Sequence, residues 1–385
     1  MTHKSIAIFT WGLGGGAFAN LPSALMKGFW AVGVRELYVL YLFEEPGQNI
    51  TFPKGVKLVS LGVQRSISSP VALAQFLKRT KPDILISMPT IISIPAIIGF
   101  LLAGQRPTKL VIYQGDTLTS DISIDHKNDL RMQILPWLTR LLYPWADGLT
   151  TVSEGVLDIL KQDHIPIPYN RVAVIPNPVD TEAFLTLSRA KPDHPWLQNK
   201  QRPVIITLGR LIKRKNFPLL LKAFAMVRSK LEAKLIILGE GPEKESLEGL
   251  IAQLGLQEDV SLPGYSENPW SNIARADVFV MSSVDEAFCL ALVEAMACEV
   301  PVVSTDAIGG GPRSILENGK YGNLVPRNNA EALAETVYKV LISHDFRDRL
   351  VAASKKRCEA FKPEVVAQQW LSFIQELYEE KQVVS

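Results

Sequence analysis

The chain has 385 residues, of which 47% are hydrophobic and 21% are charged, and its formal net charge is +2 at pH 7. Because single hydrophobic cores stop growing at roughly 250–300 residues, this length predicts two folded domains, and the apolar content excludes a disordered chain. The small net charge, without a stripe of Lys and Arg interleaved with aromatic residues, argues against nucleic acid as a partner.

Cysteine usage and the first residues predict a cellular location. Cys289, Cys298 and Cys358 are an odd number of cysteines without C-x-x-C spacing, and the opening MTHKSIAIFTW leads directly into a strand pattern. Neither feature is typical of a secreted, disulfide-bonded protein with a signal peptide. We therefore expect a cytoplasmic protein.

Short β-branched and aliphatic runs alternate with helical patterns in the first half of the chain. This alternation is typical of parallel sheets built from strand-helix-strand units. The predicted strands are SIAIFTW, LYVLYLF, DILIS, KLVIY and AVIPN. The apolar segment 91–103 is shorter than the ~20 residues of a membrane span, so we interpret it as a core helix. Contact of this segment with the inner face of a membrane is the alternative.

The second half repeats the same pattern after a break rich in proline and polar residues at 190–203. Its predicted strands are VIITLGR, KLIILGEG, VSLPG, VFVMSS and PVVSTD. The resulting division is a first domain at 1–190, a linker at 191–202, a second domain at 203–362 and a C-terminal helix at 363–385. That last segment has apolar residues at helical spacing, which predicts a packing helix.

Glycines follow the first predicted strand, where a doubly wound sheet binds its ligands. Gly12, Gly14, Gly15, Gly16 and Ala17 match the G-x-G-x-x-A dinucleotide fingerprint. The acidic residue of that fingerprint should follow after about 20 positions, whereas Glu44 and Glu45 come roughly 30 positions later. A nicotinamide site, a tight turn needed for packing and an opening onto a substrate all remain open for this segment.

Cations follow the first strand of the second half. Gly209 and Arg210 open a loop that continues with Lys213, Arg214 and Lys215. Arg presents a planar fork to phosphate oxygens and Lys a mobile charge, so the loop suits a diphosphate group. A solvated basic loop is the alternative.

Two glutamates eight residues apart, Glu286 and Glu294, follow the predicted strand VFVMSS. Glu294 lies inside the apolar run LALVEAMA, which is typical of a buried helix. A buried polar group without a partner costs roughly 2–7 kcal/mol, so Glu294 should have either a ligand or a fixed protein partner.

Three further strand ends carry glycine, which lets backbone groups approach a ligand closely. These turns are Gly239 to Pro242, Gly264 with Tyr265, and Gly309 to Pro312. Their expected convergence at one sheet edge predicts a crevice suited to a nucleotide. The five histidines lack ligand spacing and the chain has no D-x-D pair, so we expect no metal site.

Five motifs in this order resemble those of retaining glycosyltransferases of family 4, which have the GT-B fold. They are G-R-x4-K at 209–215, GEGP at 239–242, E-x7-E at 286–294, PVVSTD at 301–306 and GPRSILENGKYGNLVP at 311–326. Segments at 146–184 are similar to the passage between the two domains of that family. The resemblance implies two doubly wound Rossmann-like α/β domains facing a central crevice, with the C-terminal helix crossing back to the first domain.

The resemblance also implies roles for individual residues. Arg210 and Lys215 would hold the diphosphate of a sugar nucleotide, Glu294 would accept hydrogen bonds from ribose, and Glu286 would hold hydroxyls of the donor sugar. The expected donor site is completed by Gly14, Gly15, Gly16, Gly209, Gly241, Tyr265, Ala287, Phe288, Cys289 and Leu290.

Several positions depart from the family pattern. Ala287-Phe288-Cys289 replaces Gly-Phe-Gly, which places a positive φ there in doubt. Ser314 stands where Glu is common, and Glu299 stands where Gly is usual. Asp116 is our candidate for the catalytic position at which many relatives have histidine.

The sequence thus predicts a metal-independent, retaining glycosyltransferase without a cofactor. Its donor would be a nucleoside-diphosphate sugar, UDP being favoured over GDP, and its acceptor a glycan or a lipid-linked molecule in bacterial surface polysaccharide or glycolipid assembly. Contact with a membrane would involve the N-terminal domain. The alternatives are a non-catalytic protein that binds sugar nucleotides or glycans, an epimerase on the same fold, and a nicotinamide-dependent oxidoreductase using the Gly12 to Ala17 loop.

Overall fold

The computed structural model describes residues 4–13, 17–43, 50–104, 107–125, 127, 129–167 and 169–379. They divide into two compact units. The first comprises the described residues within Met1–Ile122, His126–Val179 and Phe361–Ser385, and the second those within Ser123–Asp125 and Asp180–Ala360.

The described residues of the first unit form a seven-stranded parallel sheet in the order β3-β2-β1-β4-β5-β6-β7. Every residue of β1, β2, β4, β5 and β6 is buried, as expected for strands covered on both faces. The strands are β1 (Ile6–Thr10), β2 (Leu37–Tyr41), β3 (Lys57–Ser60), β4 (Ile84–Ser87), β5 (Lys109–Gln114), β6 (Gly148–Thr151) and β7 (Val172–Val174).

The second unit has a six-stranded parallel sheet in the order β10-β9-β8-β11-β12-β13. Its order is that of a doubly wound fold, in which the direction of winding reverses beside the first strand. The strands are β8 (Val204–Leu208), β9 (Lys234–Leu238), β10 (Val260–Gly264), β11 (Val278–Met281), β12 (Val302–Thr305) and β13 (Asn323–Val325).

Helices lie between most successive strands, as the crossover connections of parallel pairs usually require. They are α1 (Ala17–Ala31), α2 (Ser69–Thr80), α3 (Thr90–Leu102), α4 (Leu118–Asp125), α5 (Leu130–Leu142), α6 (Glu154–Gln162), α7 (Thr181–Leu187), α8 (Pro195–Gln198), α9 (Phe217–Arg228), α10 (Lys244–Gln253), α11 (Pro269–Ile273), α12 (Leu290–Ala297), α13 (Gly311–Ile315), α14 (Ala330–Ile342), α15 (His344–Cys358) and α16 (Pro363–Glu379). Within the described ranges, no helix is long and apolar enough to cross a membrane.

The C-terminal helix packs into the first unit, as the sequence predicts. α16 contacts α1, and the two helices approach so closely at Gly28 that a Cβ there would lie 2.1 Å from the backbone oxygen of Pro363. Val366, Trp370 and Ile374 bury their side chains on the inner side of α16. The C-terminal helix therefore returns to the unit in which the chain begins.

The segment predicted as a linker, 191–202, belongs to the second unit, which begins at Asp180. Pro195 starts the short helix α8 within this segment, in place of an extended connection. His194 is buried, and Asp193 accepts a hydrogen bond of 2.5 Å from Asn272 Nδ2. These contacts give the polar residues of this segment partners, so the division between the units falls before it.

Helix α12 ends with a left-handed residue other than glycine. Glu299 has φ +59°, its N–H donates to the Met296 carbonyl, and the N–H of Val300 donates to the Ala295 carbonyl. This is the Schellman arrangement, whose left-handed position is usually glycine because a Cβ is strained there. Glu299 therefore has the left-handed backbone conformation that glycine, the residue usual in the family at this position, adopts easily, although its own side chain disfavours it.

Replacing this residue should stabilise the protein. We expect Glu299→Gly to raise the free energy of unfolding by roughly 0.5–1 kcal/mol, because glycine relieves the left-handed strain. The exposed ion pair between Glu299 and Lys355 contributes little and its loss should not offset the gain. Thermal unfolding measures the change.

Glu299→Gln is the matched control, since it removes the charge and keeps the Cβ. A rise in melting temperature of the glutamine variant equal to that of the glycine variant would contradict the assignment to backbone strain.

Candidate functional site

The candidate site lies where the second sheet reverses its winding. β8 and β11 are neighbours there, and the loops that leave their carboxyl ends diverge to opposite sides of the sheet. Doubly wound sheets bind ligands at this switch point. The loop after β8 carries the predicted basic residues, and the loop after β11 carries Glu286.

Lys215 and Glu286 meet directly across these two loops. Lys215 ends a 3₁₀ turn (Lys213–Lys215), and its Nζ lies 2.5 Å from Oε1 of Glu286. Only 17% and 10% of the two side chains are exposed, and Ser283 Oγ donates to the same carboxylate oxygen at 2.8 Å. Burial, the largest single influence, would lower the pKa of Lys215, but the charges of Glu286 and Cys289 and the hydrogen bond of Glu286 together outweigh it and raise the pKa above its ordinary value. Lys215 therefore stays cationic at neutral pH.

Backbone and hydroxyl hydrogen bonds fix both loops around this ion pair. Ser282 Oγ donates to the Lys215 carbonyl at 2.9 Å, and the Val284 N–H donates to the Arg214 carbonyl at 2.8 Å. The N–H of Gly311 donates to the Glu286 carbonyl at 3.0 Å. The strand ends of β8, β11 and β12 are thus joined beside the charged pair, and these hydrogen bonds hold it in position.

Asp285, a residue that the sequence analysis overlooks, supports the same loop. It is fully buried, and its Oδ1 accepts a hydrogen bond of 3.1 Å from the Gly309 N–H. This contact links the loop after β11 to the glycine turn after β12. A buried carboxylate in that place therefore has a structural partner, and it explains why the glycines at 309–311 can lie next to Glu286.

Glu294 has a protein partner as well as the expected placement on a largely buried helix. Trp270 Nε1 donates to Glu294 Oε2 at 3.0 Å, and the indole in turn stacks on Phe184 with ring centroids 4.7 Å apart. Burial raises the pKa of Glu294 to about 7, although the Trp270 hydrogen bond acts in the opposite direction. The carboxyl group is therefore balanced between its two protonation states near neutral pH.

Cys289 precedes α12 in a left-handed conformation with φ +79°. The sequence leaves a positive φ in doubt here because cysteine replaces the usual glycine. The structure removes that doubt: the backbone keeps the positive φ, and the thiol is buried. Strain of this kind costs on the order of 1–3 kcal/mol and persists only where the surroundings determine the backbone. Phe288, beside it, packs so closely on Gly311 that a Cβ there would lie 2.5 Å from the Phe288 carbonyl oxygen.

Glycine allows the strand ends of β8 and β9 to touch. A Cβ on Gly239 would lie 2.0 Å from the Gly209 carbonyl oxygen, and one on Gly241 would lie 2.4 Å from that of Leu211. Gly209 itself faces the Lys215 side chain, since a Cβ there would lie 3.4 Å from Cε. These glycines therefore let the basic loop lie directly on the neighbouring turn.

Other predicted donor-site residues lie in the loops after β8, β10 and β11. Arg210 is exposed at the end of β8, and Tyr265 is 75% exposed after β10. Ala287 and Leu290 are partly buried on either side of Phe288 and Cys289. Gly14, Gly15 and Gly16 lie outside the described residues, as do Glu44 and Glu45.

Asp116 belongs to a polar network in the first unit. Gln114 Nε2 donates to its Oδ1 at 2.7 Å, and Gln114 Oε1 accepts from the Tyr143 hydroxyl at 2.7 Å. Burial raises the pKa of Tyr143 well above its ordinary range, so the hydroxyl remains a donor. The network fixes the orientation of Asp116, and its catalytic role stays a prediction.

Besides Asp285, sequence reasoning misses Ser283 and Trp270, which donate hydrogen bonds to Glu286 and Glu294. Ser283 could be found, because it lies two residues after the buried strand β11, at the end where ligands bind. Trp270 gives no comparable signal, since it lies 24 residues before Glu294 and its indole contact arises from packing. In the part of the chain that the structure describes, no group of three or more His, Cys, Asp or Glu residues is placed to hold a metal ion.

Comparisons with known proteins agree with this arrangement. The family described as Glycosyl transferases group 1 matches residues 189–357, and Glycosyltransferase Family 4 matches residues 39–183. A relative from Campylobacter jejuni, N-acetylgalactosamine-N,N'-diacetylbacillosaminyl-diphospho-undecaprenol 4-alpha-N-acetylgalactosaminyltransferase, is 32% identical over 267 residues, which are 69% of this chain and 70% of the relative.

Solved structures with the same fold include HepE from Anabaena in complex with UDP and glucose, with a TM-score of 0.73, 18% identity, and coverage of 97% of this chain and 100% of that one. Sucrose-phosphate synthase from Thermosynechococcus elongatus has a TM-score of 0.75 and 18% identity, and both chains are fully covered. The chain therefore belongs to the group 1 glycosyl transferases of glycosyltransferase family 4 and has the GT-B fold of two Rossmann-like α/β units.

Proposed function

We propose that this glycosyltransferase moves a sugar from a nucleoside-diphosphate donor to an acceptor hydroxyl, with retention at the anomeric carbon and without a metal ion. The observation that carries the proposal is the Lys215–Glu286 pair at the switch point of the second sheet. A fixed cation and a fixed carboxylate side by side suit a substrate that has both a diphosphate and sugar hydroxyls.

Lys215 would stabilise the diphosphate as it leaves. Its ammonium is largely shielded from water and remains charged, so its attraction to phosphate oxygens is weakly screened. Arg210 leaves the same strand and would add a second cation from the solvent side. Two cations would replace the charge that a metal ion supplies in other transferases.

Glu294 would accept hydrogen bonds from the ribose hydroxyls of the donor. A carboxylate can accept two such bonds, and the Trp270 indole orients one of its oxygens. Binding of paired hydroxyls would favour the ionised form of Glu294, which is only partly populated near neutral pH because its pKa is about 7.

Glu286 would hold a hydroxyl of the transferred sugar and keep the anomeric carbon in place. In the proposed step the bond from the anomeric carbon to the diphosphate oxygen breaks, and the electron pair leaves with the diphosphate. The acceptor oxygen bonds to the anomeric carbon from the same face, and its proton passes to a diphosphate oxygen. Positioning and charge stabilisation would supply most of the rate enhancement.

A uridine nucleotide and a lipid-linked acceptor are the substrates we favour. HepE was solved with UDP and glucose, and the relative from C. jejuni is named for an acceptor linked to diphospho-undecaprenol. A second relative from C. jejuni is also named for an acceptor linked to PP-undecaprenol. It is 27% identical over 310 residues, which are 80% of this chain and 78% of the relative. These names support a role in bacterial glycan or glycolipid assembly.

Nucleotide preference can be measured first. In thermal unfolding with UDP, GDP, ADP, CDP and dTDP, we expect the largest stabilisation with UDP. A ligand at 100 times its Kd adds about 2.7 kcal/mol to the free energy of unfolding. A melting temperature that no nucleotide changes would contradict a nucleotide-sugar donor, and a preference for GDP would overturn only the choice of base.

Loss of the buried cation should abolish catalysis. We expect Lys215→Ala to lower the rate of sugar transfer, and of slow donor hydrolysis, by about 10²–10³-fold, because the developing diphosphate charge loses its partner. Lys213→Ala is the matched control, since Lys213 belongs to the same turn and is exposed. Release of nucleoside diphosphate from the donor reports both reactions.

Stability must be separated from this effect, because Lys215→Ala leaves Glu286 as a buried, unpaired carboxylate. The double variant Lys215→Ala/Glu286→Gln removes that charge and should recover stability but no activity. Transfer at the wild-type rate in either variant would exclude the proposed role. Donor binding without transfer or hydrolysis in the wild-type protein would indicate a non-catalytic binding protein.

Glu294 should make UDP binding depend on pH. The pKa of Glu294 is 4.5 in the unfolded chain and about 7 in the folded protein. Between these two pH values the folded protein keeps a proton that the unfolded chain loses, so the free energy of unfolding falls as pH rises through this range. We expect the UDP association constant to increase as pH rises through about 7, because ribose favours the carboxylate. Trp270→Phe removes a hydrogen bond that lowers this pKa, and should shift the midpoint to higher pH.

Glu294→Gln is the control in these titrations. UDP has its own titrating phosphate, so the informative quantity is the difference between the wild-type and Glu294→Gln profiles in isothermal titration calorimetry. Parallel profiles across this pH range would show that Glu294 does not bind the nucleotide.

A further inference from the structure

The first unit has an outer helical layer that exposes large apolar side chains. α2, α3 and α5 pack on one face of its sheet, because one core cluster contains Leu73, Ile97 and Phe100 together with alternate strand residues such as Ala7 and Phe9, and α5 residues pack against it. α3 contacts both α2 and α5, so the three helices form one continuous layer.

Helix α5 has an exposed apolar stripe. Ile134, Trp137 and Leu141 are followed by Trp145, in the 3₁₀ turn Tyr143–Trp145, at intervals of three, four and four residues. This spacing places them on one side of a helix, and the two tryptophans are 62% and 59% exposed. Leu135, Leu138 and Leu142 pack against the core from the neighbouring side of the helix, since each lies about 100° around the axis from the stripe residue that precedes it. The stripe is therefore additional to the residues that attach the helix to its own unit.

The neighbouring helices continue this apolar surface. Of the 18 large hydrophobic residues that are exposed in the described part of the chain, ten belong to this layer or to the two 3₁₀ turns that adjoin it, which is more than random scatter would place there. Besides the α5 stripe they are Ile67 in the 3₁₀ turn Ser66–Ser68 before α2, Val71 in the first turn of α2, and Ile91, Ile98, Leu101 and Leu102 on α3.

The charges of the layer are all positive. No Asp or Glu occurs at 61–82, 84–104 or 130–146. Arg65, Lys78, Arg79 and Arg140 are exposed around the apolar residues. A second copy of the chain would place like charges opposite one another, whereas a negatively charged surface would be complementary.

We propose that this layer, α2, α3 and α5 with the turn to Trp145, docks the protein onto the surface of an anionic phospholipid bilayer. Tryptophans enter the boundary between head groups and acyl chains, aliphatic residues follow, and the cations contact anionic head groups. The helices lie on the bilayer, because none in the described ranges can span it. The proposal extends the proposed function, since a lipid-linked acceptor would be presented at such a surface.

The test is cosedimentation of the full chain with sucrose-loaded vesicles of phosphatidylcholine alone, or with phosphatidylglycerol added. We expect binding to the anionic vesicles, weakened by salt. Trp137→Gln/Trp145→Gln should reduce their partition coefficient at least tenfold. Lys78→Gln/Arg79→Gln should reduce it roughly fivefold for each cation removed. Met226→Gln/Ile342→Gln, which replaces two exposed apolar residues of the second unit, is the control and should bind as the wild type does.

Thermal unfolding of every variant, with and without UDP, separates docking from folding and from the proposed donor site. We expect unchanged melting temperatures and unchanged UDP responses. Failure of the wild-type protein to bind anionic vesicles would overturn the proposal, as would equal binding by the tryptophan variant. A dimer in sedimentation equilibrium that this variant converts to monomer, without vesicle binding, would assign the layer to a second copy instead. If the protein binds anionic vesicles but no nucleotide changes its melting temperature, only the donor assignment is refuted.

Discussion

The second unit depends on one interaction, the ion pair of Lys215 and Glu286 in a place where water screens it poorly. Removing either charge from water costs several kcal/mol, and only close pairing with further hydrogen bonds offsets that cost. Ser283 supplies one of these bonds, and the loop contacts at Ser282, Val284 and Gly311 keep the two side chains in position. The conformation of the loops at the ends of β8, β11 and β12 therefore depends on the charges of Lys215 and Glu286.

Backbone strain at both ends of α12 belongs to the same arrangement. Cys289 before the helix and Glu299 after it have positive φ values, although each carries a side chain that disfavours them. The helix is thereby fixed in direction and length, and Glu294 comes to lie beside Trp270. Side chains could change at these positions because the close packing of Phe288 on Gly311 and the Schellman hydrogen bonds define the backbone. At Cys289 and Glu299 the backbone therefore remains left-handed at a cost in local stability.

The strands that are predictable from the sequence are those whose burial leaves a continuous apolar run, such as β1, β8 and β11. β3, β6 and β13 were missed because KLVS, GLTT and NLV are short or polar and have no such run. The E-x7-E spacing located both glutamates, but not their partners. Lys215 lies 71 residues from Glu286, so their contact depends on strand order, which local patterns do not specify. The polar segment at 191–202 resembles a linker in composition. Its place in the second unit depends on tertiary contacts, such as those of Asp193 and His194, which composition does not show.

The informative residues of both units are those whose burial does not match their polarity. Exposed leucines and buried valines are ordinary, whereas a shielded carboxylate or a largely exposed tryptophan indicates a partner. Glu286 and Glu294 have some of their partners within the protein, namely Lys215, Ser283 and Trp270. Among the described residues, Trp137 and Trp145 have no comparable cover, although burying each would stabilise the chain by roughly 25 cal/mol per Å² of apolar surface. The proposed bilayer would cover this outer stripe of α5, and its anionic head groups would complement the cations around the stripe.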